Sequence, residues 1–406
     1  MRAWAVPLIV FGLTQCGNSA SGLENGADAP QDDASGPRGI DANDGPPRWI
    51  GSDSDAASDG AYADDRATPG EVDAYASVDA GPPAVRVIAR VDRSDVSGPR
   101  FDWSGSTVVA RFTGSSIGVR LAGKANYFDI RIDGMLKPTL ATSATKQDYP
   151  LASNLRAGPH ELSVFRRTEA REGATTFLGL ILDPAGALLP PPPASGRRLE
   201  IIGDSTTCGY GDDGKDPCPF TPATENYDVA YGAVAARSVG AELITIAWSA
   251  KGMYRNFAGD TNETMPVLYG RTLGTQASST WDFASWVPDA VVINLGSNDF
   301  QQGDPGQPFV TTYVAFVRRV RGYYPHALIV CAVGPKLSGR QLDGARAYVT
   351  GIVSAMNAEG DMRVAFVELP QAEPQDGYGC GGHASIATHQ RMGDTLAAAL
   401  KSKLGW

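Results

Sequence analysis

Arg198-Leu199-Glu200-Ile201-Ile202-Gly203-Asp204-Ser205 is a short apolar run that breaks off into glycine and two polar residues. Runs of this length, bounded by turn residues, read as strands buried on both faces. The pattern recurs downstream. ELITIAWS (242–249), AVVINLGSND (290–299), ALIVCAVGP (327–335) and VAFVEL (364–369) are further apolar runs. Between them lie helical stretches: ENYDVAYGAVAARSVG (225–240), FVTTYVAFVRRVRGYY (309–324), ARAYVTGIVSAMNA (345–358) and the closing SIATHQRMGDTLAAALKSKL (385–404). In the second of these, Phe309, Tyr313, Phe316 and Val320 share one face. Gly240 reads as a C-cap of the first and Ser385 as an N-cap of the last. Strands alternating with helices predict an α/β domain over 195–406, a parallel sheet with helices on both faces. Such sheets bind ligands beyond the carboxyl ends of their strands, where Gly203-Asp204-Ser205 and Gly296-Ser297-Asn298-Asp299 both fall.

Upstream the period changes to two. Ile117, Val119 and Leu121 alternate with small or polar residues, as do Phe128, Ile130 and Ile132, then Leu162 and Val164. TTFLGLIL (175–182) reads as a more fully buried run, and no helical period is visible. Short alternating strands separated by turn residues predict a β-sandwich over 86–187. The prolines 190–193 mark the boundary between the two domains. Residues 17–85 carry fourteen acidic residues and three arginines, a net of −11 against −10 for the whole chain. This Ala/Asp/Gly/Ser/Pro-rich segment reads as a disordered acidic linker. The remainder is near neutral, which gives a nucleic-acid partner no electrostatic support. Residues 1–16 read as an export signal: Arg2, a short apolar stretch, and Leu13-Thr14-Gln15-Cys16, which looks like a bacterial lipobox with Cys16 as the lipidated residue. The expected location is therefore the bacterial cell envelope, with release from the cell as the alternative.

Three sites at strand ends can carry chemistry. Ser205 is an exposable hydroxyl, Gly252 in Ser249-Ala250-Lys251-Gly252 offers an unhindered backbone N–H, and the Asn298 side chain can donate to a developing oxyanion. Each alone also reads as a turn. A fourth, His383 in Asp376–Gly393, precedes the closing helix and can serve as general base. His389 lies six residues on, off any face shared with His383, and reads as structural. Two other patterns fail. Gly209-x4-Gly214-Lys215 mimics a phosphate loop, but Asp216 replaces the hydroxyl residue and Asp212 and Asp213 repel phosphate. The four histidines have no metal-ligand spacing, so neither metal nor cofactor is expected. Of the cysteines, Cys331 in LIVCAV reads as a buried thiol, while Cys208 has two possible disulfide partners, Cys218 and Cys380.

The order Ser, Gly, Asn, His resembles the SGNH (GDSL-like) hydrolases. GDSTTCGYG (203–211), ATENYDVAYG (223–232), SAKGMYRN (249–256), WDFASWVPDAVVINLGSNDF (281–300) and HASIATHQRMG (383–393) resemble family 2 carbohydrate esterases in particular. So do RFDWSGSTVVARF, NYFDIRIDG, RRTEA and FLGLILD upstream, which look like that family's N-terminal jelly-roll. The resemblance implies an exported esterase that removes acetyl groups from polysaccharides such as xylan or glucomannan; separately, a monomer is expected. It implies Ser205 as nucleophile, His383 as base, and the Ser205 N–H, Gly252 N–H and Asn298 side chain as oxyanion donors. One departure stands out. The aspartate that SGNH enzymes place three residues before the histidine is Cys380, and the family's frequent aspartate two before it is Gly381. Losing the histidine–aspartate pair in a serine protease costs about 10⁴ in rate. A carbonyl from 378–381 can still fix the imidazole tautomer, so a Ser–His dyad is expected. Asp376 and Glu373 are surrogate acids, and Trp248 and Tyr210 are aromatics for stacking on sugars. Two other readings differ in class: a tethered carbohydrate-binding protein with an impaired hydrolase domain, and an SGNH lipase or thioesterase, disfavoured because no apolar lid segment is visible.

Overall fold

The computed structural model describes residues 84–406. The export signal, Cys16 and nearly all of the acidic linker lie outside the described residues. The sheet of the α/β part contains five strands in the order Glu242–Ala247, Arg198–Gly203, Ala290–Asn294, Leu328–Val333, Val364–Glu368. All four pairings are parallel. Side chains along each strand alternate between two apolar layers. Ile202, Val291, Ile293, Ile329 and Cys331 face Phe309, Tyr313, Val349 and Ile352 of the helices Gly306–Tyr323 and Gly339–Ala358. Leu199, Ile201, Val292 and Val330 face Tyr231, Met392 and Leu396 of the helices Tyr231–Val239 and Ile386–Leu404. Burial on both sides is why these strands read as continuous apolar runs. The chain order reverses at Arg198–Gly203, which opens a crevice beyond its carboxyl end, between it and Ala290–Asn294.

The N-terminal part is two antiparallel sheets. One centres on Thr107–Thr113, Pro159–Arg166 and Tyr127–Ile132. The other centres on Thr175–Leu182 and Ile117–Gly123. Val108, Phe112, Val119, Leu121, Phe128, Ile130, Leu162 and Val164 fill the space between them. Thr175–Leu182 is less buried than its composition predicts, and Ile181 is exposed. A short neighbour contributes: Arg100–Phe101 pairs with Thr175 and Thr176, and the Phe177 N–H donates to the Pro99 carbonyl at 2.9 Å, so beyond Phe177 the strand is a sheet edge. A 3₁₀ turn, Ala170–Glu172, breaks the all-β pattern.

Two helix bounds also differ from the sequence pattern. The helix expected over 225–240 begins at Tyr231, because Asn226 accepts from the Asp228 N–H and turns residues 227–229 into a 3₁₀ segment. The helix expected over 345–358 starts earlier, at Gly339. Ser385 does cap the closing helix, accepting from the Thr388 N–H at 3.3 Å.

The sandwich and the α/β part share buried contacts. The Asp102 carboxylate accepts from the Gly274 and Thr275 N–H groups, both at 3.1 Å. Trp103 is buried in the core of the α/β part and its indole donates to the Thr272 carbonyl. Arg90, fully buried, pairs with Glu200 at 3.2 Å. Charged groups are buried here only because each has a partner across the seam.

Candidate active site

Ser205 is the first residue of a four-residue helix, Ser205–Cys208, that starts where the strand Arg198–Gly203 ends. Asp204 caps that helix, its Oδ1 accepting from the Thr206 N–H at 3.0 Å, and Gly209 ends it in the left-handed region. As a first helical residue, Ser205 has no intrahelical acceptor for its own N–H.

His383 arrives from the other end of the chain. Tyr378–Gly379 and His383–Ala384 form a two-residue antiparallel pair around the turn Cys380–Gly382. Gly381 and Gly382 both have φ near +65°, a conformation glycine adopts without the strain a Cβ brings. The turn directs the Cys380 carbonyl back at the imidazole. His383 Nδ1 lies 3.2 Å from the Cys380 oxygen, and Nε2 lies 3.0 Å from Ser205 Oγ. A carbonyl can only accept, so Nδ1 carries the proton and Nε2 is free to take one from the serine. Burial pushes the His383 pKa down from 6.5 to about 3, with the Lys336 charge adding to the effect.

The two surrogate acids are engaged elsewhere. Asp376 accepts from Arg391 and from Thr388 Oγ1, and Glu373 pairs with Arg391. Neither carboxylate contacts His383, because both face the closing helix.

Gly252 and Asn298 lie at the same sheet edge. The Gly252 N–H donates to Asn256 Oδ1 at 3.2 Å, and Asn298 Nδ2 donates to the Lys251 carbonyl at 2.8 Å and to Asp204 Oδ2 at 3.4 Å. The 3.2 and 3.4 Å contacts are at the long end of hydrogen bonding, and an oxyanion is a stronger acceptor. Gly252 cannot be replaced in this loop: a Cβ there would sit 1.9 Å from the Arg255 carbonyl oxygen.

Sequence reasoning missed the carboxylates beneath these groups. Asp299, read as a turn residue, is fully buried and accepts from the Met253, Tyr254 and Arg255 N–H groups at 2.7–2.9 Å. It ties the Gly252 loop to the Asn298 turn. Asp204 Oδ2 accepts from Ser297 Oγ at 2.5 Å as well as from Asn298; burial raises its pKa to about 6. Tyr210 stacks on Phe220 at 3.9 Å and packs at a tilt of 33° against His383 at 4.3 Å, while Trp248 packs edge-on against Trp103.

Both disulfides considered from the sequence are corrected. Cys380 is bonded to Cys218, and Cys208 is a buried thiol facing Glu169 Oε2 at 3.7 Å. The helix Ser205–Cys208 turns Cys208 inward, whereas the 211–218 loop lies against the histidine turn: the Cys380 N–H donates to the Gly211 carbonyl and the Gly382 N–H to Asp216. Cys331 is a buried free thiol. His389 is also buried, its Nδ1 accepting from the Tyr231 N–H and its Nε2 facing Asp212 at 3.2 Å.

Residues 87–192 match the family model described as carbohydrate esterase 2 N-terminal, and residues 201–397 match that of the GDSL-like lipase/acylhydrolase family. A solved family two carbohydrate esterase from Clostridium thermocellum, in complex with cellohexaose, is 42% identical with a TM-score of 0.77, covering 79% of this chain and 99% of that one. The chain belongs to carbohydrate esterase family 2. The curated cellulase/esterase CelE of Acetivibrio thermocellus is 42% identical over 327 residues, 80% of this chain; the chain spans 40% of the length of that relative. An acetylxylan esterase/glucomannan deacetylase of Cellvibrio japonicus is 26% identical, covering 81% of this chain and 92% of its own. The family 2 sandwich and α/β parts are thus both present, and Ser205, Gly252, Asn298 and His383 meet at one edge of the sheet.

Proposed function

We propose that this chain is an exported serine esterase that removes acetyl groups from polysaccharides such as xylan and glucomannan. The observation that carries the reading is the line Cys380 carbonyl–His383–Ser205 Oγ, at 3.2 and 3.0 Å, in a family 2 chain. Ser205 Oγ attacks the acetyl carbonyl carbon while His383 Nε2 takes the hydroxyl proton. The negative charge that develops on the carbonyl oxygen is met by the N–H groups of Ser205 and Gly252 and by the Asn298 amide. Collapse breaks the ester C–O bond, and the imidazolium returns its proton to the departing sugar hydroxyl. Water, activated by the same imidazole, then releases acetate from the serine. The Cys380 carbonyl fixes the tautomer, and an acetyl ester is a modest target, so the dyad suffices. Export and a lipid anchor at Cys16 rest on residues 1–16, and a monomeric state is proposed with them.

The test is acetate release from acetylated xylan and glucomannan. The wild type is expected to release acetate, and Ser205→Ala and His383→Ala to lose at least 10³-fold in kcat/KM. A silent wild type, inactive on p-nitrophenyl acetate as well, would overturn the reading in favour of a sugar-binding protein.

A further inference from the structure

Beside the catalytic histidine lies a pocket of about 320 Å³, within the size range of small-ligand sites. Its walls include Gly382 and Ala384, the two residues that flank His383, together with Ser338, Gln371 and Tyr378. Lys336 is the one charged side chain among its lining residues. Its Nζ donates to the Gly382 carbonyl at 3.2 Å. Among the described residues no carboxylate comes within ion-pair distance of that ammonium; Asp204 and Asp216 act on it only from farther off. Both are otherwise occupied: Asp204 by Ser297 and Asn298, Asp216 by the Gly382 N–H.

An ammonium has three donors, and Lys336 uses one on the protein. Holding a partly buried cation without a counter-charge is unfavourable. Here it is doubly so, since the same charge opposes the imidazolium that His383 must become. The segment that carries it is nonetheless held in place, because the Gln371 amide, oriented by its neighbours, donates to the Pro335 and Leu337 carbonyls at 2.8 and 2.9 Å. A cation among the lining of an otherwise uncharged pocket, hydrogen-bonded to the residue that precedes His383, is placed to select for an anion on the same substrate molecule.

We propose that this pocket is a subsite for a carboxylate-bearing sugar, a uronic acid, on the acetylated chain, with Lys336 as the group that reads the carboxylate. The inference rests on the esterase reading and deepens it: the preferred substrates are acetylated oligosaccharides that also carry a uronic acid near the ester.

The test compares acetate release from acetylated xylo-oligosaccharides with and without a glucuronic acid branch, using the full chain. The quantity read is the ratio of kcat/KM for the acidic over the neutral substrate. That ratio cancels any change Lys336 makes to His383 itself. The wild-type ratio is expected to exceed one. Lys336→Met should lower it about tenfold, the range of one charge-assisted hydrogen bond, mostly through KM. Lys336→Arg should restore part of it, and 0.5 M NaCl should shrink the wild-type ratio. Turnover of p-nitrophenyl acetate shows that each variant is folded. A wild-type ratio at or below one, or an unchanged ratio in Lys336→Met, overturns the subsite and leaves the esterase standing. No acetate from either substrate overturns both.

Discussion

At His383 a backbone carbonyl stands where a carboxylate would be expected. The Cys380 carbonyl fixes the tautomer, and the Tyr210 ring lies against one face of the imidazole. With burial holding the imidazole pKa near 3, His383 stays neutral through the acid range, as the proposed base must. Asp204, at about 6, is then the group whose titration is seen. Below that pH its carboxylate gains a proton and can no longer accept fully from both Ser297 and Asn298, so the Asn298 amide, proposed as an oxyanion donor, loosens. The expected kcat/KM profile falls below about pH 6. In Asp204→Asn the plateau drops about tenfold and this acid limb disappears. A limb that persists unchanged in Asp204→Asn would mean the imidazole itself titrates there. Ser205, Gly252, Asn298 and His383 were readable as one set because their order along the chain, each near a strand end, resembles that of the SGNH hydrolases; alone, none of them stands out from a turn. Asp204 and Asp299 were not readable as braces. Their partners are N–H and hydroxyl groups in loops distant along the chain, and no spacing announces them.

The strands were the most legible elements, since a strand buried on both faces has almost no choice but Val, Ile, Leu and Ala. Helix starts were less so: Asn226 shifts one by local hydrogen bonding rather than by apolar period. Least legible was the histidine turn. Tyr378–Ala384 is built of positive-φ glycines and a disulfide, and its partner loop, 211–218, lies more than 160 residues away. That loop is what holds the Cys380 carbonyl on Nδ1. Cutting the link by Cys218→Ser should therefore lower kcat by roughly ten- to a hundredfold while KM for small esters changes little, since the effect falls on orientation. Because the bond closes a loop of 162 residues, unfolding should also become easier, by up to about 5 kcal/mol in the chain-entropy account. Stopped acetate assays beside urea unfolding separate the two effects. Full kcat in a destabilised Cys218→Ser protein would show that the turn holds itself.

Across the whole molecule, the sandwich reaches into the active site through the segment Arg166–Gly173. Fully buried Arg166 donates to the Thr168, Glu169 and Gly173 carbonyls and sets that segment's shape. Glu169 then crosses to the catalytic part: its Oε2 accepts from the Ser249 N–H at 2.6 Å, three residues before Gly252, and faces the Cys208 thiol on the nucleophile helix. Glu225 lies against it, accepting from the Glu169 N–H at 3.1 Å. Two fully buried carboxyls this close cannot both ionise. Glu169 has the donors, with Arg171 at 3.7 Å, so Glu225 holds the proton, its pKa raised well above 4.5 by burial and then by the Glu169 charge. The sign follows from linkage. An unfolded chain gives up this proton above about pH 4.5 and the folded chain keeps it, so the folded state binds more protons in that window and stability falls as pH rises. Glu225→Gln keeps an acceptor for the Glu169 N–H and has no proton to lose. It should raise Tm at pH 8 by roughly 2–4 °C, with the gain vanishing as pH falls toward 4.5. Activity should survive, because Glu225 touches no reacting atom. A variant less stable at pH 8, or a gain that does not vary with pH, would place the proton on Glu169 instead. The sandwich strap would then meet the Ser249 N–H with a neutral group, not a charge.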